Sequence, residues 1–512
     1  MIIILDFGSQ YTHMIARRVR SLGCFSLVLP WDSTLEDIER LNPKGIILSG
    51  GPSSIHLNGA KNIDANIFSL ELPILGICYG MQIIASHFGG VVSSQQHSEY
   101  GRSALEVKQP SVLFENVILD DNDSIDVWMS HGDSVETLPQ GFKTIARTDN
   151  CKCSGLANDK MKIYGLQFHP EVNNTNQGQK ILANFIYNVC LITKEWNSES
   201  ITETIVQKAK ETLGEEQVLL ALSGGVDSMV LAYVLKAAIP SKNLHCVLVD
   251  HGLLRTNEVE QIQNVCLNAD INIDVIDAKD NFFKYLKGIT EPEQKRKIIG
   301  RLFIEEFEYY ARDKSDITWL AQGTIYPDVI ESAGDKNGAQ VIKSHHNVGG
   351  LPEKLGFKVI EPFRDLYKDE VRAIGRELSI DTNIINRHPF PGPGLAIRIL
   401  GEVTKEKVVL IQAADKIWLE ELWNNDLYNK MSQAFAVLLP INTVGVIGDK
   451  RHYGPVVALR SVVTDDFMTA TWASISHDVL DKAARRIMNE VPTVSRVVYD
   501  ISSKPPATIE WE

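Results

Sequence analysis

The sequence predicts an α/β protein with two doubly wound, mainly parallel-sheet domains followed by a small C-terminal α+β domain. Two observations predict it. The chain has 512 residues, and a single hydrophobic core seldom serves more than about 250 to 300. Short apolar runs alternate with helical patterns along most of the sequence, which is typical of parallel strands connected by helices.

The first domain is predicted over residues 1–195. Its apolar runs at 2–5, 45–48, 74–77 and 163–168 are interpreted as strands. The segment Ser200-Ile-Thr-Glu203 has the pattern of a capping box, in which a hydroxyl and a carboxylate satisfy the first free N–H groups of a helix. The amphipathic helix that follows stops at Gly214, and it is predicted to lead into the second domain.

The second domain is predicted over residues 196–394, with strands at 218–222, 244–249 and 317–320. It closes at Pro389-Phe-Pro-Gly-Pro-Gly394, because prolines continue neither a helix nor a central strand. Residues 395–512 contain strand-like runs at 456–463 and 496–499 around helical patterns. These runs predict the small α+β domain.

The net charge and the cysteine content limit the functions and the cellular compartments that the sequence predicts. The net charge of -14 argues against a nucleic-acid surface, which needs a basic face. The apolar stretch before the first carboxylate, Asp6, is too short for a signal-peptide core. No apolar run approaches the roughly 18 residues of a membrane span. Seven scattered cysteines form no disulfide framework and fit a reducing cytoplasm. We therefore expect a cytoplasmic protein that acts on small molecules.

A nucleophile is predicted at Cys78. The segment Gly76-Ile-Cys-Tyr-Gly80 lies between a predicted strand and a predicted helix, which is the setting of a nucleophile elbow. The N-terminus of the helix favours a thiolate. The N–H of Tyr79 is a candidate oxyanion donor, and Gly51, in a glycine turn after another strand, is a candidate second donor.

A base for this thiol is predicted in Gln167-Phe-His169-Pro-Glu171. Residues two apart on a strand point to the same side, so Glu171 is placed to orient His169 and complete a Cys-His-Glu triad. Taken singly, Cys78 reads as a small buried residue and His169 as a satisfied loop histidine. The combination with the glycines of the elbow favours catalysis.

The first domain resembles the class I glutamine amidotransferases. The motifs that carry the resemblance are Asp6-Phe-Gly-Ser-Gln10, Ser49-Gly-Gly-Pro52, Gly76-Ile-Cys-Tyr-Gly-Met-Gln82, Met129-Ser-His-Gly-Asp133 and Phe168-His-Pro-Glu171. The resemblance implies a glutamyl thioester on Cys78 and release of ammonia. It also implies a set of glutamine-binding residues, namely Gln82, Ser130, His131, Gly132 and Asp133.

A phosphate-binding loop is predicted at Ser223-Gly-Gly-Val-Asp-Ser228, between an apolar strand and a helix. Its glycines turn backbone N–H groups toward one point, which makes a nest for an anion. The loop lacks the Gly-Lys-Ser/Thr ending of a Walker motif, so transfer of a terminal phosphate is not indicated. Asp227 is the candidate ligand for a Mg²⁺ ion that accompanies ATP.

This loop resembles that of the N-type ATP pyrophosphatases, which cleave ATP between its α and β phosphates and adenylylate a carbonyl oxygen. The resemblance implies an ATP site made of Ser223, Gly224, Gly225, Val226, Asp227, Ser228, Val249 and Gly323. Asp250 follows a predicted strand. It is either part of this pocket or an ordinary solvated carboxylate at a strand end.

Over its full length the chain resembles the glutamine-hydrolysing GMP synthase family. The distinctive segments are Lys295-Arg-Lys-Ile-Ile-Gly300, His345-His-Asn-Val-Gly-Gly-Leu-Pro352, Arg387-His-Pro-Phe-Pro-Gly-Pro-Gly394, Thr443-Val-Gly-Val-Ile-Gly-Asp449 and Lys504-Pro-Pro-Ala-Thr-Ile-Glu-Trp-Glu512. The resemblance implies binding of xanthosine monophosphate (XMP), and pairing of two chains through residues 395–512. The XMP-binding candidates are Arg296, Arg387, Asp449, Lys504 and Glu510.

The cationic members of this set, Arg296, Arg387 and Lys504, are also expected on physical grounds, because a nucleotide monophosphate needs cationic donors. Residues 295–297 also fit ordinary surface charge, the usual fate of lysines. Segment 504–512 is expected to dock, since its prolines stiffen it and two apolar residues follow.

Two other functions stay open from the sequence. The first is another ATP-dependent amidation, such as NAD synthesis, which shares the phosphate loop. The second is a catalytically silent sensor that keeps the folds as a binding module. If the chain is a synthase, an adenylylated intermediate must be kept from water, and closure by loop 335–352 is expected.

Overall fold

The computed structural model describes the chain except for residues 58–59, 121–122, 313, 315, 334–356, 448, 465–466, 468 and 492. Of residues 95–97, 330–333 and 447 it describes only the backbone. The loop predicted to close over the intermediate, 335–352, therefore lies outside the described residues. The chain forms two compact units, Met1–Ser200 and Ile201–Glu512.

The first unit contains nine strands and four helices among its described residues. The strands are β1 Ile2–Asp6, β2 Ser26–Pro30, β3 Gly45–Leu48, β4 Ile74–Ile77, β5 Val91–Val107, β6 Ser124–Thr137, β7 Lys143–Arg147, β8 Gly155–Asn158 and β9 Ile163–Leu166. The helices are α1 Thr12–Ser21, α2 Leu35–Arg40, α3 Tyr79–His87 and α4 Gly178–Asn184. All four strands predicted from the sequence are confirmed.

These strands form one sheet in the order β2-β1-β3-β4-β9-β8-β7-β5-β6. The pairs from β2 to β9 are parallel, and the remaining pairs are antiparallel. Strands β3 and β4 are buried along their whole length, as expected for strands with packing on both faces. Ile77 at the end of β4 pairs with Leu166 at the end of β9. The residues that follow these two strands therefore emerge at the same edge of the sheet.

The second unit opens with helix α5, Ser198–Leu213, whose first residues lie just before Ile201. Its parallel strands are β10 Gln217–Leu222, β11 Leu244–Asp250, β12 Ile273–Asp277, β13 Ile317–Ala321 and β14 Lys358–Ile360. Its antiparallel part contains β15 Gln433–Ile447, β16 Lys450–Val463 and β17 Thr471–Trp472, and β18 Arg496–Tyr499 joins β16 in parallel. The helices are α6 Val226–Ala238, α7 Glu258–Asn268, α8 Lys279–Leu286, α9 Pro292–Arg312, α10 Tyr326–Ala333, α11 Lys368–Glu377, α12 Thr382–Ile385, α13 Lys405–Asn424 and α14 His477–Glu490.

The parallel strands of this unit are ordered β12-β11-β10-β13-β14. Strand β10 is central, so the loop after Leu222 emerges between the ends of β11 and β13. One apolar cluster runs from Leu219 in β10 to Val494 before β18 and includes Trp418 of α13. The predicted fold class is confirmed. The predicted division at residue 394 stays a prediction, because this core is shared by both sides of it. Among the described helices, none combines the length and the hydropathy that crossing a membrane requires.

Candidate active sites

Cys78 lies at the turn from β4 into α3, with φ 51° and ψ -105°. A non-glycine residue at positive φ is strained and persists only where its surroundings enforce it. A Cβ at Gly76 would lie 2.5 Å from the carbonyl carbon of Gly80, and a Cβ at Gly80 would lie 2.4 Å from the oxygen of Leu48. Both glycines are required by close backbone approach. The predicted sharp turn between strand and helix is therefore present, while the role of Cys78 as a nucleophile stays a prediction.

The predicted partners of the thiol are close together and buried. The Nδ1 of His169 donates to Oε1 of Glu171 at 2.8 Å, and both side chains are almost fully shielded from water. Burial by itself lowers the pKa of His169, but the charge of Glu171 and interactions with Cys78 raise it well above its usual value. The imidazole is thus held as a strong base beside the thiol, in the order that a Cys-His-Glu triad requires.

The predicted oxyanion donors flank this triad. A Cβ at Gly51 would lie 3.3 Å from the ring of Tyr79, and one at Gly50 would lie 3.2 Å from Cε1 of His169. The N–H of Gly80 donates to the carbonyl of Ser49 at 3.1 Å, which ties the glycine turn to the first turn of α3. The donor role of Gly51 and Tyr79 stays a prediction.

Gln167 is a residue of this site that sequence reasoning missed. Its Nε2 donates to Sγ of Cys78 at 3.7 Å, and its side chain is fully buried. On the other side of the sulfur, the thiol contacts the carbonyl oxygen of Ser130, also at 3.7 Å. Parity along the chain was an available signal, because residues 167, 169 and 171 are each two apart.

The predicted glutamine-binding residues converge on β6. The Nε2 of Gln82 donates to the carbonyl of Asp133 at 2.9 Å, and the Nδ1 of His131 donates to the same oxygen at 3.0 Å. The Nε2 of His131 lies 3.5 Å from Oε2 of Glu99, which also accepts from Thr148 at 3.0 Å. Burial alone raises the pKa of Glu99, but hydrogen bonds from His131 and other donors hold it below its usual range. The sequence did not point to this buried carboxylate.

The other two predicted glutamine ligands, Ser130 and Gly132, are also in β6. Ser130 presents its carbonyl to the thiol. A Cβ at Gly132 would meet only Oγ of Ser98, at 3.6 Å. The structure thus brings the five predicted residues into one region beside Cys78, while their binding of glutamine stays a prediction.

The phosphate loop in the second unit is closed by its own hydroxyls. Oγ of Ser223 and Oγ of Ser228 lie 3.2 Å apart, and the N–H of Gly225 donates to Ser223 at 3.3 Å. Gly224 has φ 74°, and a Cβ there would lie 2.7 Å from Cδ1 of Ile262. The glycine is required both by its backbone conformation and by this contact. Helix α6 begins at Val226, so the second half of the predicted loop forms the first turn of this helix, where backbone N–H groups lack partners within the helix and suit an anion.

Asp227 fits the predicted magnesium role in one testable respect. Its Oδ1 is buried and has no hydrogen-bond partner among the described residues, and its Oδ2 lies 3.5 Å from Nζ of Lys368. An orphaned carboxylate oxygen beside a phosphate nest is the ligand that a hard cation prefers. A Cβ at Gly323 would lie 3.4 Å from the backbone of Asp227, which places the predicted Gly323 against the loop. The predicted Val249 is buried near the end of β11.

Asp250 is not an unpaired solvated carboxylate. Its Oδ2 lies 2.8 Å from Nζ of Lys279, and its Oδ1 accepts from the N–H of Gly252 at 3.0 Å. Asp250 lines a cavity of about 490 Å³ together with Lys279, Arg255 and Lys405. The neighbouring His251 is buried, and burial lowers its pKa to about 4.

Arg387, a predicted XMP ligand, lies at the phosphate loop. Its Nη1 donates to the carbonyl of Gly224 at 3.0 Å, and its Nη2 lies 3.2 Å from Oε1 of Glu258. Asp449, another predicted ligand, is exposed in the turn between β15 and β16 and has φ 62°. Within the described part of the chain, no recorded hydrogen bond or ion pair joins Asp449 to the other four predicted XMP residues.

Segment 504–512 packs against the rest of the second unit, as predicted. Glu510 accepts from Nη2 of Arg398 at 2.9 Å and from Nε2 of Gln433 at 2.7 Å. Lys504 donates through Nζ to the carbonyl of Phe467 at 2.7 Å. Sequence reasoning missed Arg398 and Gln433, which lie far from Glu510 in the chain.

The alternative that Lys295 is ordinary surface charge is excluded. Its side chain is fully buried in α9, where Nζ donates to the carbonyls of Ala396 and Ile399 at 3.1 and 2.8 Å and pairs with the carboxylate of Glu512. The physical reason is that these acceptors compensate the buried charge. Arg296 donates to the carbonyl of Glu512. Two of the predicted XMP residues are therefore found at the docked segment: Arg296 contacts it, and Glu510 belongs to it.

Comparisons with known proteins cover all three predicted domains. A family model described as "Glutamine amidotransferase class-I" matches residues 3–189, "PP-loop domain" matches 198–296, and "GMP synthase C terminal domain" matches 420–511. The fold and the sites thus define a glutamine amidotransferase joined to a PP-loop domain.

Relatives that align over the full length of the chain identify its family. A curated "GMP synthase [glutamine-hydrolyzing]" from Ruthia magnifica is 53% identical, and the alignment covers 100% of this chain and 98% of the relative. Proteins with the same name from Photorhabdus laumondii and Aquifex aeolicus are 52% and 51% identical, with 100% of this chain and 98% and 99% of the relatives covered. The chain belongs to the glutamine-hydrolysing GMP synthase family.

Proposed function

We propose that this protein converts ATP, XMP, L-glutamine and water to AMP, pyrophosphate, GMP and L-glutamate. The observation that carries the proposal is the presence, in one chain of this family, of a buried Cys78-His169-Glu171 triad and a lysine-free phosphate loop at residues 223–228. The first supplies ammonia and the second activates its acceptor. The reaction is that of a ligase.

In the glutaminase half, Sγ of Cys78 attacks the glutamine side-chain carbonyl while the proton is held on His169. The oxyanion that develops is stabilised by the N–H groups of Gly51 and Tyr79. Collapse releases ammonia after proton transfer from His169, and a glutamyl thioester remains. Water, deprotonated by His169, then hydrolyses the thioester to glutamate and restores the thiol.

In the synthetase half, residues 223–228 hold the phosphates of ATP, and Arg387 supplies positive charge beside them. The O2 oxygen of XMP attacks the α phosphorus, pyrophosphate leaves, and an adenylyl-XMP intermediate results. Ammonia then displaces AMP to give GMP. Mg²⁺, held by Asp227, would neutralise charge on the leaving pyrophosphate; the buried, unpartnered Oδ1 supports that assignment.

The acceptor distinguishes this proposal from NAD synthesis. All three relatives cited above carry the name GMP synthase, and the match to a GMP synthase C-terminal model at 420–511 covers the part of the chain beyond the shared loop. The silent-sensor alternative is disfavoured by the intact triad, whose strained elbow has no use in a mere binding module.

We also propose that the protein works in the cytoplasm and that two chains pair through the β15–β16 hairpin. The support for pairing is a group of exposed apolar side chains on these two strands: Ile441, Val444, Val446 and Tyr453. Such a patch marks an interaction surface. Sedimentation of the wild type and of Val446→Lys tests it, since a dimer that uses this face should dissociate in the variant. A wild-type monomer would contradict the pairing.

The reaction itself is tested by measuring AMP, pyrophosphate and glutamate with XMP or nicotinate adenine dinucleotide as the acceptor. XMP should drive AMP release and the dinucleotide should not. Cys78→Ala should abolish the use of glutamine but retain synthesis from added ammonia. Cys24→Ala is the matched control, since this buried thiol lies outside the predicted site, and its activity should be unchanged. No pyrophosphate upon addition of XMP and magnesium would refute the proposal.

A further inference from the structure

Six charged residues of alternating sign form a continuous array between the phosphate loop and segment 504–512. We call it the charge array, and its members in spatial order are Arg387, Glu258, Arg255, Asp415, Arg398 and Glu510. They come from residues 255–258 at the start of α7, from α13, from residues 387–398 and from the docked segment. The sequence alone does not predict this set, because its members are up to 255 residues apart in the chain.

At one end the array holds the phosphate loop. Arg387 donates to the carbonyl of Gly224 and pairs with Oε1 of Glu258. Glu258 is only 2% exposed, and its Oε2 accepts from the N–H of Arg255 at 2.9 Å. A single carboxylate therefore fixes both the arginine at the loop and the backbone of the next member.

In the middle, Asp415 is shared by two arginines. Its Oδ2 accepts from Nε of Arg255 at 3.1 Å, and its Oδ1 lies 4.0 Å from Nη1 of Arg398. Both guanidinium groups lie over the ring of Phe390, at 4.7 and 5.1 Å from its centre. Burial lowers the pKa of Arg255, but Asp415 and Glu258 raise it above its usual value, so the array stays charged.

At the other end, Arg398 is fully buried. Its Nη2 donates to Oε1 of Glu510 at 2.9 Å, and its Nε donates to Oε2 of Glu510 at 3.3 Å. This fork fixes the orientation of the carboxylate. Two donors of the array are left over, since Nη2 of Arg255 and Nη1 of Arg398 are buried without a hydrogen-bond partner among the described residues. A buried unsatisfied donor is costly, so these two groups would be stabilised by any rearrangement that brings an acceptor to them.

From this geometry we propose that Asp415 is a positioning residue through which occupancy of the XMP site and occupancy of the phosphate loop strengthen each other. The proposal rests on the proposed function, which assigns ATP to residues 223–228 and XMP to the region of Glu510. A ligand that moves Glu510 or Arg398 changes the charge facing Asp415, and Arg255 and Glu258 carry that change to Arg387. Because buried charges are weakly screened, the array transmits over a distance at which surface charges do not.

The test is equilibrium binding of Mg²⁺ with an ATP analogue that has a methylene group between its α and β phosphates, so that no cleavage occurs. Calorimetry gives the dissociation constant with and without saturating XMP, and the reverse titration must give the same factor. The wild type should bind the analogue at least fivefold more tightly in the presence of XMP. In Asp415→Asn each ligand alone should bind within threefold of the wild type, while the factor falls below twofold.

Two further variants keep the test decisive. Lys416→Gln is the matched control, since its side chain is exposed and pairs with Glu420, outside the charge array; it should keep the factor. Arg255→Lys keeps the charge but loses the guanidinium fork, and it should also lower the factor, which covers the case in which Asp415→Asn does not fold. A factor of one in the wild type, or an unchanged factor in folded Asp415→Asn or Arg255→Lys, overturns the proposal. A wild type that makes no GMP refutes the proposed function instead.

Discussion

Replacing Glu171 with glutamine removes one charge from the triad and changes almost nothing else. The side chain of Glu171 is fully buried, and its Oε1 accepts the Nδ1–H of His169 at 2.8 Å. A glutamine has the same shape, and its own Oε1 still accepts this hydrogen bond. The variant therefore isolates the contribution of the carboxylate charge from that of geometry.

The size of the effect follows from the loss of the charge, because the hydrogen bond itself is kept. A hydrogen bond to a charged group contributes about 1.5 to 3 kcal/mol and one between neutral groups about 0.5 to 1.5 kcal/mol, so the imidazolium that forms when His169 holds the thiol proton loses about 1 to 1.5 kcal/mol. Since about 1.4 kcal/mol corresponds to a factor of ten, we expect kcat/KM for glutamine to fall about 5- to 12-fold, while synthesis from ammonia stays unchanged.

The pH profile supplies a second readout. The pKa of His169 is raised by Glu171 and Cys78 against the lowering effect of burial. Removing the carboxylate charge lowers that pKa, so His169 loses its proton at lower pH. The basic limb of glutamine hydrolysis, which reports the loss of this proton, should therefore move to lower pH in Glu171→Gln.

The assay measures glutamate release and GMP formation in parallel, with glutamine or ammonium chloride as the nitrogen source, between pH 6 and 10. Glu136→Gln is a matched control, because Glu136 is exposed at the end of β6; it should behave as the wild type. A loss of less than threefold with glutamine, or an equal loss with ammonia, would refute the triad assignment.

Three more outcomes are expected. Gly80→Ala puts a Cβ 2.4 Å from the carbonyl oxygen of Leu48, so glutaminase activity should fall more than 100-fold and alkylation of the elbow thiol should slow, with ammonia-dependent synthesis retained; normal alkylation would contradict the steric reading. Asp227→Asn should raise the magnesium concentration needed for half-maximal ammonia-dependent synthesis at least tenfold, whereas Lys368→Gln should not; equal effects would argue against a metal ligand. His251 has a pKa of about 4 in the folded protein against about 6.5 in the unfolded chain. Between these two values the unfolded chain binds more protons, so the stability of the fold falls as pH falls, and by pH 5.5 the loss is about 1.4 kcal/mol. His251→Asn should therefore reduce the drop in the thermal midpoint between pH 7.5 and 5.5.

The sequence was most informative where a site is built from residues close together in the chain. The elbow around Cys78 and the pair His169 and Glu171 are each contained in five residues, and a glycine is the visible trace of a close backbone approach. The phosphate loop is equally local, with Ser223 and Ser228 five residues apart. Strand ends and helix starts then fix the edge of the sheet at which these groups emerge.

The groups that were missed depend on partners that are distant in the chain. Glu99 contacts His131 across β5 and β6, and Arg398 is 112 residues from Glu510. Neither the partner nor the burial of such a residue is encoded in its neighbours. Charge pairs of this kind are set by how helices and strands pack, so composition alone assigns them to the surface.

The sheltered amine of Lys295 can report on the assembly of the second unit. An acylating reagent reacts with a lysine only as a free amine in contact with water, and this amine is enclosed by two carbonyls and the side chain of Glu512. In the native protein it should resist labelling while exposed lysines such as Lys416 react. The rate at which Lys295 becomes modified therefore measures how often residues 504–512 detach, and a ligand that holds this segment in place should slow that modification in proportion to its occupancy.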